Sequence, residues 1–454
     1  VSVLDPDVRV HIVGIGGSGM SGVARLLSEM GAHVSGSDLA DSVMLEGLRD
    51  AGMAVQVGHD GTASHDADVV LWSPAIASDN PELVAARSRG AALLSRAQLL
   101  EELGRARRVL GLTGTHGKTT ATSMMVQVMA ASGRDDGRLL GADVVGVGPN
   151  GHWGSDDLIV EVDESYGTFN ALSPFALGLL NVESDHLDYY GSLDALEVAF
   201  AGLVERTSGP VVVWSDDDGA RRVALRASRP FIDVGTKDDA TWRVSDVAVT
   251  RRTSSFTLHG PNDVTALRLN VTGAHNVADA AVVAVLARTL GIDGDAVVRG
   301  LAHFEGAPRR FQLLGTWKGV DVYESYAHLP GEISAIVSAT HAAGYANITA
   351  VFQPHRVTRT LSLVNDFAPA FDGVATVIVT DIYRAGEANP TGVTGEVIER
   401  AIHARGAGVH TTYCADLAEV PAVLEQRRGA SDVLLLLGAG DVASIAAQLL
   451  DGAP

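Results

Sequence analysis

An apolar stretch, Arg108 to Leu112, runs into Gly114-Thr115-His116-Gly117-Lys118-Thr119-Thr120 and then into a long apolar segment of helical character. A strand that turns through a glycine loop into a helix is the entry unit of a parallel α/β sheet, with the loop at the carboxyl edge where ligands of such sheets bind. The backbone N–H groups of this loop can cradle phosphate oxygens, Lys118 can neutralise the β and γ phosphates, and the Thr119 hydroxyl can reach magnesium. The spacing departs from the usual phosphate-loop pattern, because Leu112 rather than glycine stands five residues before Gly117. A glycine turn carrying a surface lysine is the competing account.

The same rhythm occurs once before. Val8 to Ile15 is apolar, Gly14, Gly16 and Gly19 follow, and a second strand spans Val34 to Ser37, with Asp38 nineteen residues after Gly19. Such glycines let a diphosphate approach the positive end of a helix, and Asp38 stands where a ribose hydroxyl could be recognised. A nicotinamide dinucleotide, another diphosphate such as a UDP-sugar, and a tight turn with no ligand all fit this loop. Further strands are predicted at Val69 to Trp72 and near Ala92 to Leu94.

The second glycine loop restarts the strand–helix alternation and so marks a boundary near residue 105. Strands follow at Leu158 to Val160, Leu177 to Asn181 and Val211 to Trp214, then a helix from about His275 to Leu290. A last segment from near Arg310 carries strands at Val320 to Tyr323, Ile348 to Phe352, Ala375 to Thr380 and Val433 to Leu437. The expected fold is α/β, with three consecutive α/β domains over residues 1–104, 105–308 and 309–454. At roughly 150 residues per domain this fits the length.

Composition narrows the function. Cys414 is the only cysteine, so a thiolate metal cage is excluded and a metal must use oxygen or imidazole. A formal charge of -21 disfavours nucleic-acid binding, although a local pocket of N–H groups can still hold a small anion. No apolar run reaches about eighteen residues and no secretory leader pattern opens the chain, so a cytoplasmic enzyme without membrane insertion is expected.

Other chemistry-bearing residues stand at strand ends. Glu161 ends one apolar strand and His186 follows another, and a carboxylate and a neutral imidazole on one sheet edge can hold magnesium. Surface or capping groups are the plain alternative. His275 and Asn276 open a helix and Arg310 stands at the next junction, where they can reach a nucleoside or serve as a cap and a solvated linker. His328 follows a strand, and Arg356 and Arg359, three residues apart, would share a helical face and could clamp a carboxylate.

Taken together, these stretches resemble the Mur ligase family, and within it the branch that adds alanine. The resemblance rests on His11 to Ser21 (HIVGIGGSGMS), Leu112 to Thr120 (LTGTHGKTT), Glu161 to Ser165 (EVDES), Asp185 to Gly191 (DHLDYYG), Gly273 to Val277 (GAHNV), Arg309 to Phe311 and Val351 to Thr360 (VFQPHRVTRT). It implies Rossmann-like outer domains around a central ATPase domain, and an ATP- and Mg2+-dependent amide ligase of peptidoglycan synthesis. Its substrates would be UDP-N-acetylmuramate and L-alanine, with the chain acting as a monomer or homodimer. By position, Gly14, Gly16, Gly17, Ser18, Gly19 and Asp38 would bind the UDP-sugar. Gly114, Thr115, His116, Gly117, Lys118, Thr119, Thr120, His275, Asn276 and Arg310 would bind ATP. Thr119, Glu161 and His186 would hold magnesium, with Glu161 and His186 at two sites; His328, Arg356 and Arg359 would meet the amino acid or the muramoyl end, and Lys118, His186 and His328 would be catalytic.

The chain departs from that family pattern in places. Glu324, Ser325 and Leu329 replace Asp, Asp and His; Tyr166 replaces Asp; and Asp279 replaces a second Asn after GAHNV. Three other readings remain: a nicotinamide oxidoreductase, which leaves the second loop unexplained; a non-catalytic UDP-sugar-binding relative; and a sibling ligase with another amino-acid or peptide acceptor.

Overall fold

In the computed structural model of the chain, residues 2–427 and 431–450 are described; the outer bounds expected at residues 1 and 454 lie outside them. Three sheets follow one another along the sequence. The first holds β1 (Arg9–Val13), β2 (His33–Asp38), β3 (Ala54–Val57), β4 (Val69–Trp72) and β5 (Ala92–Ser95), all parallel, in the order β3-β2-β1-β4-β5. Helices α1 (Ser18–Glu29), α2 (Val43–Asp50), α3 (Pro81–Arg89) and α4 (Arg96–Ala106) connect them. The order reverses beside β1, which opens a crevice at the carboxyl ends of β1 and β4.

The second sheet is the largest. Its strands are β6 (Val109–Thr113), β7 (Gly137–Leu139), β8 (Gly151–His152), β9 (Leu158–Val162), β10 (Ala176–Leu179), β11 (Val211–Trp214), β12 (Ile232–Gly235), β13 (Trp242–Val249), β14 (Ser254–His259) and β15 (Val264–Leu269). They run in the order β15-β14-β13-β12-β11-β10-β6-β9-β7-β8. Helices α5 (Lys118–Ala131), α6 (Leu187–Tyr190), α7 (Leu193–Arg206), α8 (Asp218–Arg226), α9 (Ala274–Thr289) and α10 (Gly294–His303) accompany them. α5 and α9 are buried on nearly every side, so their apolar residues show no amphipathic stripe.

The third sheet holds β16 (Gln312–Trp317), β17 (Val320–Ser325), β18 (Ile348–Phe352), β19 (Thr376–Val379), β20 (His410–Tyr413) and β21 (Val433–Leu437), in the order β16-β17-β21-β18-β19-β20. Its helices are α11 (Pro330–Ala342), α12 (Val357–Ala370), α13 (Glu396–Arg405), α14 (Val420–Arg427) and α15 (Ser444–Leu450). Only β16 pairs antiparallel; the central strands are wholly buried, as expected of a parallel sheet covered by helices.

This is the expected three-domain α/β architecture, with Rossmann-like outer domains and a central one. By packing, the first two sheets form one compact unit and the third, with the short stretches Val249–Thr253 and Val271–Gly273, a second. In the first unit a single apolar cluster runs from Ile12 and Leu26 to Val160 and Phe200. The Asn150 amide donates to Ser18 O at 2.9 Å and Ser21 Oγ at 3.0 Å, tying the start of α1 to the second sheet. Among the described residues, no helix is long and apolar enough to cross a membrane.

Candidate active site

β6 lies between β9 and β10, so the loop that follows it is flanked by the ends of both neighbours. Gly117 takes φ +80°, a left-handed conformation that favours glycine. Asn181, just past β10, braces the loop: its carbonyl accepts from Thr115 N at 3.1 Å, and its side chain accepts from His116 N at 2.8 Å and donates to His116 O at 3.0 Å. Lys118 Nζ donates to Gly114 O at 2.9 Å, Thr115 O at 3.1 Å and Glu164 Oε1 at 2.9 Å. The Thr119 hydroxyl donates to Glu161 Oε1 at 2.9 Å, and Gly141 N donates to Glu161 Oε2 at 2.7 Å. β-Register explains that meeting, because Leu112 pairs with Glu161. His116 is exposed, 3.5 Å from Glu183, and Thr120 lies in the first turn of α5.

The resemblance implies magnesium at Thr119, Glu161 and His186, with Glu161 and His186 at two separate sites. The structure pairs Thr119 with Glu161 and groups His186 with Asp163 and Glu164, whose donor atoms and its own all lie within 4.8 Å of one another. His186 sits at φ +50°, rare for a residue with a side chain, with Nε2 3.2 Å from Ser165 Oγ. Glu164 is fully buried; burial pushes its carboxyl up and the neighbouring Lys118 ammonium opposes that shift. Carboxylate and hydroxyl oxygens suit a hard divalent cation, and they outnumber the single borderline imidazole, so these residues fit magnesium. Asp163, Glu164 and Asn181 were not singled out from sequence, although the first two lie inside the quoted EVDES stretch.

On α9, His275 is exposed and Asn276 buried in the first turn. One turn on, Asp279 is buried, and burial alone raises its carboxyl well above the usual range. Its Oδ2 lies 2.7 Å from where a Cβ on Gly117 would stand, a second reason for glycine there.

The first glycine loop is built differently. Gly14 takes φ +80°, Gly16 N donates to Asp38 Oδ2 at 2.8 Å, and Leu39 N donates to Asp38 Oδ1 at 2.7 Å. Asp38, predicted to read a ribose, thus also holds the loop. Gly17 precedes α1 and Ser18 opens it, with no side chain capping the helix. α5 likewise starts uncapped at Gly117, whereas Ser42, Asn80 and Ser95 cap α2, α3 and α4. The free N–H groups of α1 and α5 are therefore available to anions. A Cβ on Gly19 would stand 2.8 Å from Arg96 Nη2, so that guanidinium covers the glycine.

In the second unit, His328, His355 and Tyr383 gather at the carboxyl edge of the third sheet, with His355 stacked on Tyr383 and its ring centroid 5.6 Å from that of His328. Arg359 Nη1 lies 3.0 Å from His355 Nδ1 and donates to it. Burial and the neighbouring His328, Arg359 and Arg356 hold His355 down at about 4. His328 Nδ1 lies 2.9 Å from Tyr326 O, and burial also lowers its pKa. The shared helical face expected of Arg356 and Arg359 is not formed: Arg356 precedes α12 at φ +70°, exposed, its N–H donating to Tyr383 O at 2.8 Å. Arg310 is exposed, while Arg309 Nε donates to Glu324 Oε1 at 2.7 Å. Glu324, one of the departures from the family pattern, is thus held in an ion pair.

Comparison with known proteins follows the same division. Family models described as Mur ligase family, catalytic domain, Mur ligase middle domain, and Mur ligase, glutamate ligase domain match residues 9–108, 153–287 and 309–440. The UDP-N-acetylmuramate--L-alanine ligase of Thermobifida fusca is 42% identical, with 98% of this chain and 96% of that protein covered. The protein of that name from Clavibacter michiganensis is 38% identical, with 97% and 93% covered. Among solved structures, the UDP-N-acetylmuramate-alanine ligase of Thermotoga maritima superposes with a TM-score of 0.81 at 28% identity, covering 98% of both chains.

Proposed function

Because the chain belongs to the Mur ligase family, and so to a class of ATP-dependent ligases, we propose that it joins L-alanine to UDP-N-acetylmuramate in peptidoglycan synthesis. The observation that carries this reading is likeness along almost the whole chain to two ligases bearing that name.

In this reading a carboxylate oxygen of the muramoyl group attacks the γ-phosphorus of ATP, ADP leaves, and an acyl phosphate forms. The amine of alanine then attacks the acyl carbon, phosphate leaves and the amide remains. Phosphoryl transfer of this kind needs positioning and charge neutralisation rather than a protein nucleophile. Lys118, fixed by two loop carbonyls and Glu164, brings positive charge to the phosphate loop. The uncapped N-termini of α5 and α1 receive the ATP phosphates and the sugar-nucleotide diphosphate. Magnesium held by Thr119 and Glu161, and by Asp163, Glu164 and His186, would neutralise phosphate oxygens when bound.

Arg356 and Arg359 meet the amino-acid carboxylate. His328 takes the amine proton: its Nδ1–H donates to Tyr326 O, which leaves the Nε2 lone pair open, and its lowered pKa keeps the ring neutral at pH 7. His355 supports Arg359 rather than acting as a base, because its Nδ1 already accepts from that guanidinium.

A sibling ligase with another acceptor is favoured by one observation, the exposed Leu329 where the family pattern has histidine beside His328. Phosphate release from ATP with magnesium and UDP-N-acetylmuramate, compared across L-alanine, glycine, L-serine and no amino acid, tests both. Release strongest with L-alanine supports the proposal; equal or better release with another acceptor favours the sibling, and no release with any of them overturns the reading.

A further inference from the structure

Asp279 stands one turn into α9 and is 5% exposed. Its whole carboxyl presses on Gly117 of the phosphate loop, with Oδ2, Oδ1 and Cγ 2.7, 2.8 and 3.1 Å from the position a Cβ would take there. Among the described residues no hydrogen bond or ion pair reaches that carboxyl. A buried carboxylate without a cation is costly, and the cost is avoided when the group holds its proton. The family pattern has asparagine where this chain has Asp279, an amide of nearly the same shape that carries no charge at any pH.

The elements packed against α9 do not supply the missing positive charge. α5 brings only Lys118, whose ammonium is engaged by Gly114 O, Thr115 O and Glu164. β10 and β11 carry no ionisable side chain, and Asp233 of β12 and His259 of β14 are bound to Thr241 and Ser245. Asp295, Arg299 and His303 of α10, His116 of the loop, and His275 and Arg288 of α9 itself leave no mark on Asp279, which burial alone raises. The first helical bond of α5 is Ala121 N to Gly117 O at 2.9 Å, so the N–H groups of Lys118, Thr119 and Thr120 precede it and are the donors open to nucleotide phosphates. Gly117 thus adjoins both the phosphate donors and a buried acid.

We propose that Asp279 is a proton switch on the phosphate loop. With its proton, the carboxyl packs on Gly117 as the amide of asparagine would, and the loop takes up the nucleotide phosphates. Once the proton passes to solvent, a negative charge stands beside Gly117 in a site that water screens poorly, and it repels those phosphates. Protonation and nucleotide binding are then linked, each favouring the other. Asparagine at this position cannot provide that link. The inference rests on the function proposed above, and Asp279 acts in it through the loop, as a positioning residue.

Titration calorimetry of Mg-ADP against the wild type, Asp279→Asn and Asp279→Ala, from about pH 6 to about pH 9, tests this. Wild-type affinity is expected to fall by about tenfold or more beyond any fall in the variants as pH rises through that range. Over the falling part of the curve the wild type should take up to about one proton more per ADP bound than either variant, read from the heats in buffers of different ionisation enthalpy. Lys118 and the phosphates of ADP titrate in all three proteins and cancel in the comparison. Either variant suffices if the other fails to fold. Equal pH slopes in wild type and variant overturn the proposal. So does a variant affinity lowered by one factor at every pH, because that marks a packing role for the carboxyl. A wild type that binds no Mg-ADP at any pH overturns the function reading itself, whereas binding with a slope shared by all three proteins overturns only this inference.

Discussion

The two glycine loops of the first unit share a plan, strand to glycine turn to uncapped helix, and differ in where their charge comes from. The loop at Gly114 to Thr120 brings its own cation, Lys118, and its own hydroxyl, Thr119. The loop at Gly14 to Gly19 carries no charged residue; an acid arrives from the end of β2 and a guanidinium from the start of α4. Both loops are braced by the fold, but one carries its own cation while the other takes its charge from neighbouring elements. Loss of charge at the first should therefore follow from changing Lys118 itself, and at the second from changing residues remote in sequence.

The largest effect should come from removing the internal cation. Lys118→Ala is expected to lower phosphate release about 100-fold or more, and activity above about a tenth of wild type would mean that the loop does not rely on its lysine. Next comes a matched pair of glycine substitutions. Gly117→Ala meets both the Asp279 carboxyl and a φ of +80°, whereas Gly19→Ala meets only the Arg96 guanidinium, at 2.8 Å. ADP binding should therefore fall further in Gly117→Ala than UDP binding does in Gly19→Ala, by calorimetry, with about tenfold expected for the latter. Equal losses would erase the contrast.

Smaller effects involve titration. Asp279 has its pKa raised by burial, so folded protein holds a proton there that the unfolded chain releases above about pH 4. Its stabilising contribution is complete below that pH and is lost as pH rises toward the folded value. Asp279→Asn should thus melt increasingly above wild type as pH rises from 4 to 8; parallel melting curves would show that the acid is not buried as described. His355 behaves in the opposite sense. Its folded value of about 4 lies below the ordinary 6.5, so stability falls as pH drops through the window from 6.5 to about 4. His355→Gln should flatten the melting temperature across that window, and an unchanged slope would remove His355 as its source.

The same contrast explains what the sequence could reveal. The phosphate loop was legible because its glycines, lysine and threonine are contiguous and sit between an apolar strand and an apolar helix. Strands such as Val211–Trp214, Ile348–Phe352 and Val433–Leu437 were legible for a similar reason, being buried on both faces. β13 and β15 were not, because their exposed residues leave no apolar run. Asn181 and Arg96 carry no motif: their placement follows from which strands become neighbours. The three-residue spacing of Arg356 and Arg359 carries no helical information, because Arg356 stands outside the helix with positive φ.

The position of β21 bears on how the protein is made. It is the last strand of the third sheet in sequence yet pairs with both β17 and β18 at the sheet's centre, joining Val322 to Leu434 and Ala350 to Leu435. During synthesis the third sheet cannot close until Leu437 has cleared the ribosome, long after both glycine loops have emerged. A nascent chain stalled before Val433 would hold β17 and β18 as unpaired apolar edges, which is where chaperone engagement or aggregation would begin.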